Sequence, residues 1–219
     1  LNKDRRGFLW IGTGRNLCRY DGYSFLRLDS LQLGYCSGVS TDSKGDLYTS
    51  VDTRGIARID RKTMEVSTLV HNNYDDQDTG NDLHEQGMVD SYDQMWVCDY
   101  TSVQRYDIAR KKLFRYTFQT SKEASDVYQY ASCFEDRQRV LWIVSELGLY
   151  YYDRKNDKLV CVLGLAAIYP ENRIRIRLSR GSQDSEGNLW IGGYEYGLVK
   201  YSPSDHSFSV RKAGFEQNN

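Results

Sequence analysis

One short phrase, written five times, governs what this chain can fold into. Asp4, Asp42, Asp90, Asp136 and Asp184 open the stretches DRRGFLWIGT, DSKGDLYTS, DSYDQMWVC, DRQRVLWIV and DSEGNLWIGG, spaced 38, 48, 46 and 48 residues apart. Six residues after each aspartate stands an aromatic: Trp10, Tyr48, Trp96, Trp142 and Trp190. All four tryptophans of the chain therefore fall in one slot. Ten or eleven residues further on comes a second anchor, Tyr20, Ile59, Tyr106, Tyr152 or Tyr201, and four of these five are followed by Asp. Five units held to two internal spacings mark a repeat architecture, and a repeat fixes the fold before any other signal is read.

Each unit reads as a run of short strands. FLWIG and NLWIGG are apolar runs of strand length, introduced by a turn-forming Asp-x-x-Gly. A second strand follows in NLCRYD, GIARID, SVQRYD, GLYYYD and GLVKYS, then a polar turn such as RKNDK and a third strand such as LVCVL. A fourth strand, as in CSGVSTD and YASCFED, leads into the next aspartate. Helix signals are nearly absent, and the chain has only two prolines. The pattern predicts an all-β β-propeller of five four-stranded blades, approximately 1–35, 36–83, 84–130, 131–178 and 179–219, within one region spanning 1–219. The chain opens at Leu1, directly on a blade turn with no room for a preceding strand. That predicts a segment cut from a larger wheel.

The repeated slots acquire structural jobs. A Trp on a central strand packs against the neighbouring blade, each ring contributing on the order of 2–3 kcal/mol. The turn Gly permits positive φ, and Gly12, Gly192 and Gly193 after the Trp permit close backbone approach between blades. The repeated Asp accepts hydrogen bonds from turn amides. Since these groups recur in every unit, they build blades; a ligand site would not repeat.

Asp-x-x-Gly-x-Leu-Trp-Ile-Gly-Thr followed by Gly-Leu-x-Arg-Tyr-Asp resembles the two-component regulator propeller repeat. The first unit, DRRGFLWIGTGRNLCRYDGYSF, and the last, DSEGNLWIGGYEYGLVKYS, match well. The middle units depart: Tyr48 replaces the Trp, Asp93 takes the turn-Gly position, and the fourth unit lacks that Gly. The resemblance spans essentially the whole chain. It implies the periplasmic sensor region of an inner-membrane hybrid histidine kinase of gut bacteria, with seven-bladed propellers preceding a β-sandwich, a membrane span and the kinase. It further implies an oligosaccharide ligand, contacts with other domains of the parent receptor, and a homodimer in the full-length protein.

Composition narrows the alternatives. With net charge −1 and no large basic cluster, nucleic acid is not an expected partner. No apolar run of about 18 residues is present, so any membrane attachment would come through the parent protein. The three histidines, His71, His84 and His206, stand at no metal-binding spacing, and no nucleophile or phosphate-loop motif occurs. The expectation is therefore no catalytic residue, no metal and no cofactor. HNNYDDQDTGNDLHE, residues 71–85, only loosely resembles a calcium loop and reads as a solvated connection. Cys18, Cys36, Cys98, Cys133 and Cys161 form no Cys-x-x-Cys pair and read as small buried strand residues. Unpaired cysteines suit a reducing compartment, in tension with the periplasmic location that the resemblance implies.

A ligand would meet the loops. Two sets reach one face of a propeller: those after the Trp strand and those joining successive blades. The first set, GTGRN, SVDTR, CDYTS, VSEL and GGYEY, offers Arg15, Asp99, Tyr100, Glu146, Tyr194, Glu195 and Tyr196. The connections add Tyr35 and, from NRIRIRL, Arg173, although the alternating arginines also suit a solvated strand face. Aromatic rings stack on the apolar face of a sugar while carboxylates and guanidinium groups bond its hydroxyls. Glycan sensing is the first reading. A propeller enzyme resembling the streptogramin lyases, or a scaffold that binds proteins, are the alternatives.

Overall fold

The repeated aspartate builds a hairpin, and the hairpin holds the aromatic. In every unit the Asp backbone N–H donates to the carbonyl four residues on, and the N–H three residues on donates back to the Asp carbonyl, all at 2.9–3.2 Å. The residue at the third position after Asp must then adopt a left-handed backbone. It does so as Gly7 (φ 91°), Gly45 (87°) and Gly187 (92°), but also as Asp93 (55°) and Arg139 (62°). Side chains rarely occupy that region without cost.

The Asp side chain does two jobs at once. One oxygen accepts backbone N–H groups inside the turn, such as Phe8 (3.1 Å), Asp46 (2.9 Å) and Val140 (2.9 Å). The other accepts the indole N–H of the Trp six residues on, at 2.7–2.8 Å in four units. In the second unit the Tyr48 hydroxyl takes the indole's place at 3.3 Å from Asp42. The slot therefore requires a ring that carries a donor.

The computed structural model describes residues 1–31, 33–51, 55–70, 87–98, 102–118, 131–164, 178–193 and 197–211. Among them are twenty strands in five antiparallel four-stranded sheets and no α-helix. The first sheet runs β1 (Asn2–Lys3), β2 (Leu9–Gly12), β3 (Leu17–Tyr20) and β4 (Phe25–Arg27), followed by a 3-10 turn at Asp29–Leu31. The second holds β5 (Cys36–Thr41), β6 (Leu47–Val51), β7 (Gly55–Ile59) and β8 (Val66–Val70). The third holds β9 (Met88–Val89), β10 (Gln94–Cys98), β11 (Ser102–Asp107) and β12 (Lys112–Thr117). The fourth holds β13 (Ala131–Glu135), β14 (Leu141–Ser145), β15 (Gly148–Asp153) and β16 (Lys158–Gly164). The fifth holds β17 (Leu178–Gln183), β18 (Leu189–Gly193), β19 (Gly197–Tyr201) and β20 (Phe208–Arg211). Every sheet is a meander in chain order. The first blade does have the strand that the sequence reading left out: Asn2 and Lys3 pair with Trp10 and Leu9. Two residues suffice because the hairpin turn already sets their register.

The chain divides into two compact units, Leu1–Thr117 with three sheets and Phe118–Asn219 with two. Within the first unit, Trp10 and Leu17 pack with Leu33 of the connection and with Val39, Leu47 and Ile59 of the next blade, and Tyr48 and Ile56 pack with Met95, Val97 and Tyr106. Within the second, Trp142, Val144 and Leu149 pack with Ile191, Val199 and Tyr201, the Trp142 ring meeting Tyr201 edge-on at 6.0 Å. Aromatic and aliphatic side chains of one blade thus bury against the next. Adjacent blades also approach closely at Gly12, where a Cβ would stand 2.5 Å from the Cys36 carbonyl oxygen, and the Cys36 N–H bonds the Thr13 carbonyl there at 3.0 Å.

Opposite each ring stands a cation or another ring. Trp10 pairs with Arg19, Trp96 with Arg105, Trp190 with Lys200 and Trp142 with Tyr151 across the second hairpin. The charges lie 5.6–5.9 Å from the indole centroids, within cation–π range. In the second blade, Arg58 opposite Tyr48 bonds Asp46 (2.5 Å) and Asp60 (3.2 Å) instead. These pairs follow from the Arg or Lys that precedes the second anchor, a regularity the sequence reading passed over.

Trp142→Phe keeps the ring and removes the donor to Asp136; it is expected to cost about 1–2 kcal/mol, against about 3–5 kcal/mol for Trp142→Ala, by urea unfolding. No loss in Trp142→Phe would show that the hydrogen bond contributes nothing separate from packing. Arg139→Gly relieves the left-handed turn position and is expected to raise stability by about 0.5–1 kcal/mol in the same assay.

Candidate ligand-binding surfaces

The loop after β2 is built by one hydroxyl. Thr13 Oγ1 donates to the Asn16 carbonyl (2.7 Å) and accepts the N–H groups of Arg15 (3.3 Å) and Asn16 (3.1 Å). Asn16 then latches the loop to the connection between blades: its Oδ1 accepts the Leu33 N–H (3.2 Å) and its Nδ2 donates to Asp29 (3.3 Å). Leu33 is fully buried beneath that latch. Arg15 is consequently held exposed at the tip of the loop, and Tyr35, 43% exposed, lies beside it, its ring within contact distance of the Gly14 position. These two predicted site residues share one rim.

The corresponding loop in the fourth blade is different. Glu146 sits in the short turn between β14 and β15, where the Ser145 hydroxyl donates to the Gly148 carbonyl (3.4 Å) and accepts the Leu147 N–H (3.2 Å). Glu146 is only 6% exposed, so the turn holds its carboxylate below the surface. Asp99, Tyr100, Arg173, Tyr194, Glu195 and Tyr196 lie outside the described residues, as does the 71–85 segment with His71 and His84.

The opposite ends of the strands, which carry the aspartate hairpins, hold a cleft in each compact unit that the sequence did not reveal. One, of about 380 Å³, lies between the first and second blades and is lined by Asp4, Arg5, Arg6, Phe8, Trp10, Arg19, Ser43, Lys44, Gly45, Arg61 and Met64. The other, of about 360 Å³, lies between the fourth and fifth blades and is lined by Asp136, Gln138, Val140, Trp142, Gln183, Glu186, Gly187, Asn188, Ser202, Pro203 and Ser204. Each joins the Asp hairpin of one blade to two turns of the next. The only signal in the sequence was the charge inside the turns, DRRG against DRQR and DSEG.

Three described groups with reactive chemistry, His206, Cys36 and Tyr48, are tied into the structure. His206 Nδ1 bonds the Tyr201 hydroxyl at 2.8 Å within the turn before β20. Burial pushes the Cys36 thiol up to about 11, which keeps it protonated and unreactive near neutral pH. Burial, then the Asp42 carboxylate, drives the Tyr48 hydroxyl well above its ordinary range. No group of three or more His, Cys, Asp or Glu placed to hold a metal occurs among the described residues. Cys36, Cys98 and Cys133 are buried as expected and Cys18 is half-buried, but Cys161 is exposed. Its β16 is the outermost strand of its sheet, where alternate side chains face solvent.

No family model and no curated protein matches the chain. Solved structures do. The extracellular domain of BT4673, assigned to a hybrid two component system of Bacteroides thetaiotaomicron, superposes with a TM-score of 0.71 at 19% identity, over 97% of this chain and 27% of that one. The extracellular domain of BT3049, from the same organism and assigned likewise, gives 0.66 at 23% identity over 95% and 29%. A catalytically inactive virginiamycin B lyase from Staphylococcus aureus, solved with quinupristin, gives 0.70 at 11% identity over 99% and 70%. The shared fold is the β-propeller. The chain spans about a quarter of the length of the Bacteroides ectodomains it matches.

Acid should open the fifth blade's hairpin. The Trp190 indole, more than the turn amides, holds the Asp184 carboxyl down at about 2, below its ordinary 3.8. A lowered folded-state value means that its stabilising effect is complete above the unfolded value and disappears as pH falls toward 2. The thermal midpoint should therefore fall between about pH 4 and pH 2, and less steeply in Asp184→Asn. Asp205, also held at about 2 by bonds from Ser202 and Ser207, keeps part of the slope in that variant. An unchanged slope would assign the acid sensitivity elsewhere.

Proposed function

We propose that this chain is a ligand-sensing segment of a larger extracytoplasmic propeller in a membrane receptor of the hybrid two-component type. The observation that carries the reading is the superposition of nearly the whole chain on the extracellular domains of BT4673 and BT3049. In this reading the segment performs no chemistry. It contributes rim loops that bind an oligosaccharide, and the parent receptor, a homodimer in the inner membrane with its sensor region in the periplasm, passes the change to its kinase. Binding shifts such a receptor only as far as the ligand prefers one arrangement over the other.

The loop rim suits this role physically. Arg15 is presented by a loop whose backbone is fixed by Thr13 and Asn16, so little ordering is lost on contact, and the adjacent Tyr35 offers a ring face. By sequence, Asp99 and Tyr100 of the first compact unit and Glu146, Arg173, Tyr194, Glu195 and Tyr196 of the second belong to the corresponding loops and connections, and each is proposed as a ligand contact of its own unit. The lyase reading has less support: His206, the histidine among the described residues, is bound into a turn.

Calorimetric titration against a panel of plant and host oligosaccharides tests the proposal. Binding by the wild-type chain is expected, weakened about tenfold by Tyr35→Ala and by Arg15→Ala. Turnover of a cyclic depsipeptide with no glycan binding would replace this reading with the enzyme.

A further inference from the structure

The cleft between the first two blades has a charge that its architecture does not require. Arg5 and Arg6 come from the first hairpin, Arg19 from β3, Lys44 from the second hairpin and Arg61 from the turn after β7. The first two and the last two are exposed; Arg19 is half-buried, with its guanidinium 4.4 Å above the Phe8 ring. None of the five forms an ion pair with a described residue. The single carboxylate in the lining, Asp4, is already bonded to the Arg6 and Phe8 N–H groups and to the Trp10 indole. Five cations therefore share about 380 Å³ with one committed anion.

The second cleft supplies the comparison. It is built from the same turns of the fourth and fifth blades and has nearly the same volume, yet its polar lining is Gln, Asn, Ser, Asp136 and Glu186 with no cation. The hollow itself is thus a product of blade packing. The clustering of cations is particular to the first. Like charges gathered there repel one another, and that repulsion is relieved by an anion that bonds several of them together. Arginine forks match the oxygens of sulfate and phosphate in paired hydrogen bonds, and lysine adds a point charge.

We propose that the cleft between the first and second blades binds a tetrahedral oxyanion, sulfate or phosphate, either free or as the ester of a small molecule such as a sugar. The site lies at the strand ends opposite the Arg15–Tyr35 rim and stands independently of the glycan reading.

Calorimetry at 50 mM NaCl with inorganic sulfate, inorganic phosphate, glucose 6-sulfate, glucose 6-phosphate and glucose tests it. At least one anion is expected to bind while glucose does not. Tighter binding of an ester than of its inorganic anion identifies the ester as the source, and equal binding identifies the free ion. Lys44→Glu with Arg61→Glu should weaken binding about tenfold or more, while Arg110→Glu, an exposed cation of the third blade, should leave it within about twofold. The neutral pair Lys44→Gln and Arg61→Gln decides the matter if charge reversal prevents folding. Binding of no anion, or equal weakening by Arg110→Glu, would overturn the site.

Discussion

The structure depends on one carboxylate accepting hydrogen bonds from both ends of a seven-residue stretch. Asp closes its hairpin with one oxygen and captures the indole N–H six residues on with the other. The turn therefore fixes the rotamer of the largest side chain in the blade before that ring meets its neighbours. Once the ring is fixed, the strand carrying it has one face committed to the core, and a slip of register by one residue would expose it. Tyr48 shows that the donor matters as well as the ring, because the substitute that occurs is the aromatic with a hydroxyl.

Rigid blade hairpins leave variation to what surrounds them. The Asp oxygens are bonded, four of the five rings are buried, and second anchors close their own turns, as when the Tyr152 hydroxyl donates to Asp157 at 2.6 Å. What differs among units is the side chains at turn positions and the loops after the Trp strand. The two clefts make the point. Their volumes agree and their charges do not. Similarly, the loop after β2 holds Arg15 out in solvent while the one after β14 holds Glu146 in the interior. The same backbone plan presents different chemistry at equivalent positions.

Much of the fold was legible because its determinants are local. The spacing of Asp, aromatic and second anchor marked the hairpins, and the missing turn glycines marked the two positions where Asp93 and Arg139 adopt positive φ. The site was less legible. Arg15 and Tyr35 do share a rim, since strand alternation places the loop after β2 and the connection to the next blade at one end. Burial of Glu146 could not be read from the loop, because a two-residue turn and a four-residue loop both look polar in sequence. The short β1 was missed because its pairing rests on a hairpin whose apolar signal lies entirely on the partner strand.

The sequence by itself determined the repeat, the turn chemistry, the Trp slot and hence the propeller blade. Each of these is settled by hydrogen bonds and side-chain alternation among residues within about ten positions of one another. Only the tertiary structure decided which carboxylates and cations face a common space. Arg6 and Lys44 belong to different hairpins, 38 residues apart, and nothing local joins them. Lateral packing of one sheet on the next does so, because burying the apolar faces brings the polar turns at their ends together, whatever charges those turns happen to carry.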